Sequence, residues 1–288
     1  VFIVARGIKG GLEKAVTLLM PLLFVLLIGL VGYSLTTGEA GRALTFLFAP
    51  DFSKLSADVV LQALGQAFFT LSLALGTMLA YGAYLPEDVS IPRSAVIIAS
   101  ADTAVALLAG LMIFPLVFAY GLDVGSGPGL IFQTLPIAFG QMPGGQIVGT
   151  IFFVLLAVAA ITSSISLLEP VVSRLEESGM GRVTSTLAAG GAIFVIGIAS
   201  ILGFNRWEHI KPFGMDILSN IDFLTNNIMM PLGGLGLVLF AGWAVSRASM
   251  RAELHTASDA TFNRWRLMAR YVCPIALVLV FLSVIGVL

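Results

Sequence analysis

The chain is 288 residues long, 58% hydrophobic and only 11% charged. A soluble domain is nearer 45–50% apolar and about 25% charged, so these proportions exclude a water-soluble globular protein and indicate an integral membrane one. A formal charge of −1 provides no basic face for nucleic acid, and a single cysteine, Cys273, leaves no intrachain disulfide.

The chain opens Val1-Phe2-Ile3, with neither an initiator Met nor a signal-peptide layout, which predicts a piece of a longer protein. Roughly 20 apolar residues cross a bilayer. On that measure seven helical spans are predicted, at about 12–34, 58–84, 94–120, 145–174, 183–203, 219–246 and 266–288, in one transmembrane domain over 1–288. The first has Gly11 at its start and Pro21 inside it, residue types common in membrane helices. A structured outer loop is expected over about 35–57, ending Phe48-Ala49-Pro50-Asp51-Phe52.

The second span is the most informative. Gln66, Thr70, Ser72 and Gly76 interrupt it in the run Gly65-Gln66-Ala67-Phe68-Phe69-Thr70-Leu71-Ser72-Leu73-Ala74-Leu75-Gly76. In hydrocarbon an unpaired backbone group costs several kcal/mol, so helices break there only where the break lines a cavity in protein. Broken helices at midplane hold the ion and solute sites of many secondary transporters.

The third span carries Asp102 within Ser100-Ala101-Asp102-Thr103. A carboxylate at the bilayer centre costs about 2.5–3.5 kcal/mol. Asp102 must therefore pair with a cation, face water or take a proton, and no Lys or Arg lies in the central part of any span. A sodium ion answers the problem, because hard cations take oxygen ligands. Hydroxyls of Thr70, Thr162 and Ser163, the Asp102 carboxylate and carbonyls freed by a helix break are the ligand types required.

A second structured outer loop is expected over about 121–144, with a short re-entrant or capping helix within Leu130–Phe139. The fourth span holds Thr162-Ser163-Ser164 and Ser166 midway. One such hydroxyl more commonly bonds its own turn or packs on a neighbouring helix. Glu177 beyond it reads as a solvated charge, and Asp222 lies at the outer end of the sixth span, where an acid is cheap. Gly190-Gly191 and Gly233-Gly234-Leu235-Gly236 suit close helix packing. Hairpin topology puts Arg93, Arg174, Arg182, Arg247, Arg251, Arg264, Arg266 and Arg270 on one side with Arg6, Lys9 and Lys14, which marks that side as cytoplasmic. The other side carries only Arg42, Lys54, Arg206 and Lys211.

The run from Gly65 to Leu73 with Tyr81 and Tyr84 resembles the broken sixth helix of the neurotransmitter:sodium symporter family, in its bacterial LeuT-type form. Other likenesses fall in that family's order. Arg6-Gly7-Ile8 with Met20-Pro21 is similar to the start of helix five, and Phe46 to Phe52 with Lys54-Leu55 to the following loop. Leu135-Pro136 and Gly144-Gly145 resemble the fourth outer loop and the start of helix eight. Thr162-Ser163-Ser164-Ile165 with Pro170 resembles the middle of helix eight, and Arg270-Tyr271 with Pro274 resembles helix eleven.

The resemblance implies a LeuT-type inverted-repeat fold with helices five to eleven present, the second repeat complete and the first four helices absent. It implies two sodium sites in the full protein. Thr70 and Asp102 match ligands of the first, where many relatives have Asn at the latter position. The Ala159 carbonyl with the Thr162 and Ser163 hydroxyls matches the second. Phe69, Thr70, Ser72, Leu75, Ser163 and Leu167 match the substrate pocket. Asp222 matches the acid of the outer gate, and Glu177 with Tyr84 the inner gate, their Arg partners being on the missing N-terminal helices. Gly11 to Pro21 matches a spacing over which helix five can unwind. Chloride-dependent members have Ser four residues after the ligand Asn. Here that position is Ala106 and the negative charge is on Asp102, which implies sodium-coupled, chloride-independent transport. The aliphatic, uncharged pocket suits a neutral, hydrophobic amino acid. The expected setting is a bacterial inner membrane, with lipid and the amino-acid substrate as partners and the fragment alone inactive.

Three other classes compete, of which a channel is disfavoured because the paired gate residues suit alternating access. A non-transporting membrane scaffold or receptor would keep the fold without saturable sodium-stimulated binding. An intramembrane enzyme fares poorly, because His209 and His255 fall in loops and there is no Gly-x-Ser-x-Gly elbow.

Overall fold

The computed structural model describes residues 1–86, 88–124, 129–254 and 258–287. Part of the 121–144 loop, Gly125 to Pro128, and also His255 lie outside the described residues. Every regular element among the described residues is helical. Besides a four-residue helix at Phe2–Ala5 and short 3-10 and π turns, they are in chain order α1 (Ile8–Thr37), α2 (Ala40–Phe48), α3 (Ala57–Thr70), α4 (Thr77–Gly82), α5 (Ile91–Ala119) and α6 (Leu135–Gln141). Then follow α7 (Gly145–Glu177), α8 (Arg182–Gly203), α9 (Ile217–Ala244), α10 (Arg247–Leu254) and α11 (Asp259–Val284). Helices α1, α5, α7, α8, α9 and α11 are long and apolar enough to cross a membrane.

The segment predicted to cross at 58–84 is not one helix. It stops at Thr70 and restarts at Thr77, because Ser72 (φ 53°) and Gly76 (φ 77°) take left-handed conformations that no right-handed helix accommodates. A break in this stretch is what the sequence predicts, whereas the last span differs, running 259–284 rather than 266–288. It starts early because the Ser258 hydroxyl caps it, accepting the Thr261 N–H at 3.2 Å. It ends early at a turn in which Gly286 has φ 76°. In the outer loop the short helix expected within 130–139 is present, a π-helical turn at Leu130–Thr134 running directly into α6.

The described chain forms two compact units, one of residues 2–52 and 100–166, the other of Val1, 53–99 and the residues from 167 onward. The first is built on Leu27, Leu30, Met112, Leu116, Leu135 and Phe152, all buried. Its outer loop is fastened to the top of α5. The Glu39 N–H donates to the Pro115 carbonyl at 2.9 Å, and Phe46 sits edge-on to Phe114 and Phe118 at 4.8 and 5.5 Å. In the second unit, α9 and α11 pack closely, and Leu277 and Val280 are buried. Along α8, by contrast, Phe194 and Val195 are 70% and 66% exposed. Such bare apolar faces suit hydrocarbon, a solvent as apolar as they are.

Helix α7 begins after Gly144, whose φ is 70°, and a Cβ on Gly145 would overlap the Phe139 carbonyl oxygen and lie 2.7 Å from Met142 Cγ. A backbone oxygen cannot turn aside as a side chain can. Gly145→Ala should therefore cost about 1–3 kcal/mol. Gly140→Ala, where the new methyl meets nothing within 4 Å, should be neutral. Paired thermal melts of the full-length protein check this.

Candidate functional site

The centre of interest is the six-residue turn between α3 and α4. Helix α3 is started by Ser56, whose hydroxyl accepts the Val59 N–H at 3.2 Å, and it carries Phe69 and Thr70 in its last turn. Past Thr70 the ladder is irregular, with Ser72 N–H on the Phe69 carbonyl at 2.9 Å and Leu75 N–H on the Ser72 carbonyl at 3.4 Å. Ladder bonds are thus lost through the turn, and peptide groups there are left for other partners. Gly76 is required by its positive φ, and Pro170 lies beside it, 3.5 Å from where a Cβ would stand, an ordinary contact. The Thr77 hydroxyl just beyond is buried without a hydrogen-bond partner.

Phe69 and Thr70 are exposed in the structure, and Ser72 and Leu75 half-buried. Leu167, expected in the same pocket, is in the same unit and 46% exposed. Phe69 also lines a cavity of about 310 Å³ with Gln62, Gln66, Asn226, Asn227 and Met230. Gln62 and the two asparagines were not anticipated from sequence, since amides near span ends look like ordinary interface residues.

Asp102, Ala159, Thr162 and Ser163 belong to the other unit. Asp102 is half-buried within the unbroken helix α5. On α7 the Thr162 hydroxyl donates to the Ala159 carbonyl at 2.9 Å and to that of Val158 at 3.1 Å, while Ser163 is exposed. Two oxygens about 2.9 Å apart are spaced like neighbours around a hard cation. The hydroxyl would have to rotate its proton away before both could face an ion. Among the described residues no three His, Cys, Asp or Glu side chains gather as a metal site, so the donors on offer are hydroxyl and carbonyl oxygens and the single Asp102 carboxylate.

The expected gate residues have local partners. Glu177 pairs with Arg174 at 3.0 Å on an exposed surface, Tyr84 is 47% exposed after α4, and Asp222 accepts the Asn226 amide at 2.6 Å. Nearby, Asp216 caps α9, accepting the Ser219 hydroxyl and N–H at 2.6 and 2.9 Å. These bonds hold its carboxyl below the ordinary value. Its contribution is complete above the usual carboxylate range and fades as pH falls through the lowered folded value. Gly11 lies in a π-helical turn, Ile8–Leu12, where a Cβ would overlap the Ile3 carbonyl oxygen. Pro21 lies inside continuous α-helix.

One group went unseen in the sequence. Glu169 is fully buried on α7 and takes two bonds from Arg182, at 2.7 and 3.1 Å, while Arg182 also donates to Glu176 at 2.8 Å. Its signal was present: an acid directly before Pro170 inside a predicted span.

A family profile described as "SNF: Sodium:neurotransmitter symporter family" matches residues 1–288. The sodium-dependent transporter YhdH of Bacillus subtilis is 38% identical, over 100% of this chain and 65% of its own length. A sodium-dependent transporter of Haemophilus influenzae is also 38% identical, over 98% of this chain and 62% of its own length. The crystal structure of MhsT with L-phenylalanine matches with a TM-score of 0.87 and 43% identity, over 98% of this chain and 65% of MhsT. The chain thus spans just under two thirds of these relatives.

Proposed function

The chain belongs to the sodium:neurotransmitter symporter family, a family of transporters and not of enzymes, and from that footing we propose that the whole protein is a sodium-coupled symporter. Its substrate in this reading is a neutral, hydrophobic amino acid, carried by alternating access across a bacterial inner membrane. The observation that carries the proposal is the break between Thr70 and Thr77, because peptide groups released within a span are what such a site is made from.

In this reading the chain supplies helices five to eleven of an inverted-repeat fold. Thr70 and Asp102 hold one sodium beside the substrate carboxylate. The Ala159 carbonyl with the Thr162 and Ser163 hydroxyls holds a second, while Phe69, Ser72, Leu75 and Leu167 shape the pocket. Asp222 serves an outer gate, Glu177 and Tyr84 an inner one, and the Gly11–Pro21 stretch unwinds to admit water. MhsT binding L-phenylalanine supports the substrate class. The remaining ligands lie on other helices of the full protein, so these residues alone should not transport.

Uptake of labelled phenylalanine into proteoliposomes of the full-length protein should follow an inward sodium gradient. Exchanging chloride for gluconate should leave it unchanged, since Asp102 supplies the negative charge. Absence of saturable, sodium-stimulated uptake or binding of any neutral amino acid would instead establish the scaffold reading.

A further inference from the structure

Where α9 ends and α11 begins, the chain gathers arginines that form no salt bridge among the described residues. The exception is Arg251, which is paired with Asp259. Arg270 donates through Nε to the Gly242 carbonyl, and its guanidinium stands 4.8 Å from the centre of the Trp243 ring. In return the Trp243 indole N–H donates to the Arg270 carbonyl at 3.3 Å. Both segments are π-helical, Phe240–Ala244 and Met268–Val272, so the two helices are locked together through irregular turns. One turn earlier, Arg247 donates to Asn263 at 3.0 Å and lies 5.8 Å from the centre of the buried Phe262 ring. Arg266 is half-buried and lies one helical turn after Phe262 and Asn263, on the same face as those two residues that meet Arg247. Among the described residues Arg247, Arg264, Arg266 and Arg270 form no salt bridge.

Holding like charges together is unfavourable unless an anion completes the group. What surrounds them says which anion. Leu267, Met268, Tyr271 and Val272, on the same stretch, are 55%, 51%, 51% and 45% exposed. Charge at the end of a span with bare apolar surface along it, and Trp243 at the junction, matches a phosphate headgroup with an acyl chain beneath. A free phosphate would have no use for the apolar part. The side is the one that the arginine distribution marks as cytoplasmic.

We propose that Arg247, Arg266 and Arg270, with the exposed side chains beside them, form a binding site for one anionic phospholipid, its phosphate against the guanidinium groups and a chain along Leu267 and Met268.

Native mass spectrometry of the delipidated full-length protein, titrated with phosphatidylglycerol or phosphatidylcholine, tests this. Phosphatidylglycerol should bind more tightly, and Arg247→Gln with Arg266→Gln should weaken it by about fivefold per arginine lost. Arg266→Lys should keep the preference, as should Arg42→Gln on the opposite predicted side. Thermal melts in phosphatidylcholine confirm that each variant is folded, and should the double variant fail, Arg266→Gln alone serves. Equal binding of the two lipids, or an unchanged preference in the folded variant, overturns the proposal. So does complete competition by inorganic phosphate at equal concentration, which would make the site one for a free anion. None of these outcomes depends on sodium or amino-acid transport.

Discussion

Replacing Glu169 with Ala should destabilise the protein by about 3–5 kcal/mol, the range for breaking a buried ion pair from one side. Glu169 is fully buried and Arg182 only 19% exposed, so little water is available to the guanidinium once its partner is gone. Glu176 would remain, but it is a third exposed and meets the guanidinium through one nitrogen, whereas Glu169 engages two. The expected order of loss is therefore Glu169→Ala, then Glu169→Gln, then Glu176→Gln. Removing both charges with Glu169→Leu and Arg182→Met should cost less than Glu169→Ala alone, because no charge is stranded. Thermal melts of the full-length variants decide the matter. A change under about 0.5 kcal/mol for Glu169→Ala, the scale of an ordinary surface substitution, would show that the triad carries no stability.

The second large effect is on sodium. Asp102→Ala should raise the half-saturating sodium concentration for uptake more than tenfold, since it removes the only carboxylate among the proposed ligands. Asp102→Asn keeps an oxygen and should fall between the Ala variant and the parent. Ion and substrate binding are linked, so the amino acid's affinity at fixed sodium must decline as well. Thr162→Ala should weaken sodium coupling through the other site. Unchanged sodium dependence in both Asp102→Ala and Thr162→Ala would reject the ligand assignment.

Six of the seven spans expected from sequence coincide with helices long and apolar enough to cross a membrane, because some 20 apolar residues between polar loops leave few other folds. Sequence also located the break, where Ser72 and Gly76 take left-handed conformations, although Gln66 sits within unbroken helix. Its reach ended where packing decides. The π-helical turns at Phe223–Met229, Phe240–Ala244 and Met268–Val272 depend on what a neighbouring helix offers the displaced carbonyls, as Gly242 and Arg270 show. Glu169 was passed over for a related reason: its partner Arg182 is thirteen residues away and reads as one more positive charge on an inner loop. The early start of α11 was readable in principle, in Ser258 followed by Asp259, but the loop's polarity masked it.

The glycine pair on α9 has a mechanical meaning. Gly233 rests against Ala74 in the turn, 3.5 Å from where its own Cβ would be, and the Phe68 ring fills the space where Gly234 would carry one. The stretches before and after Thr70 therefore bear on adjacent smooth points of a single rod. Interlocked side chains resist sliding because each must leave its rotamer well to pass its neighbour. The Phe68 ring seated in the Gly234 notch is interlocked in this way, so a methyl at Gly234 would have to turn that ring out of its seat.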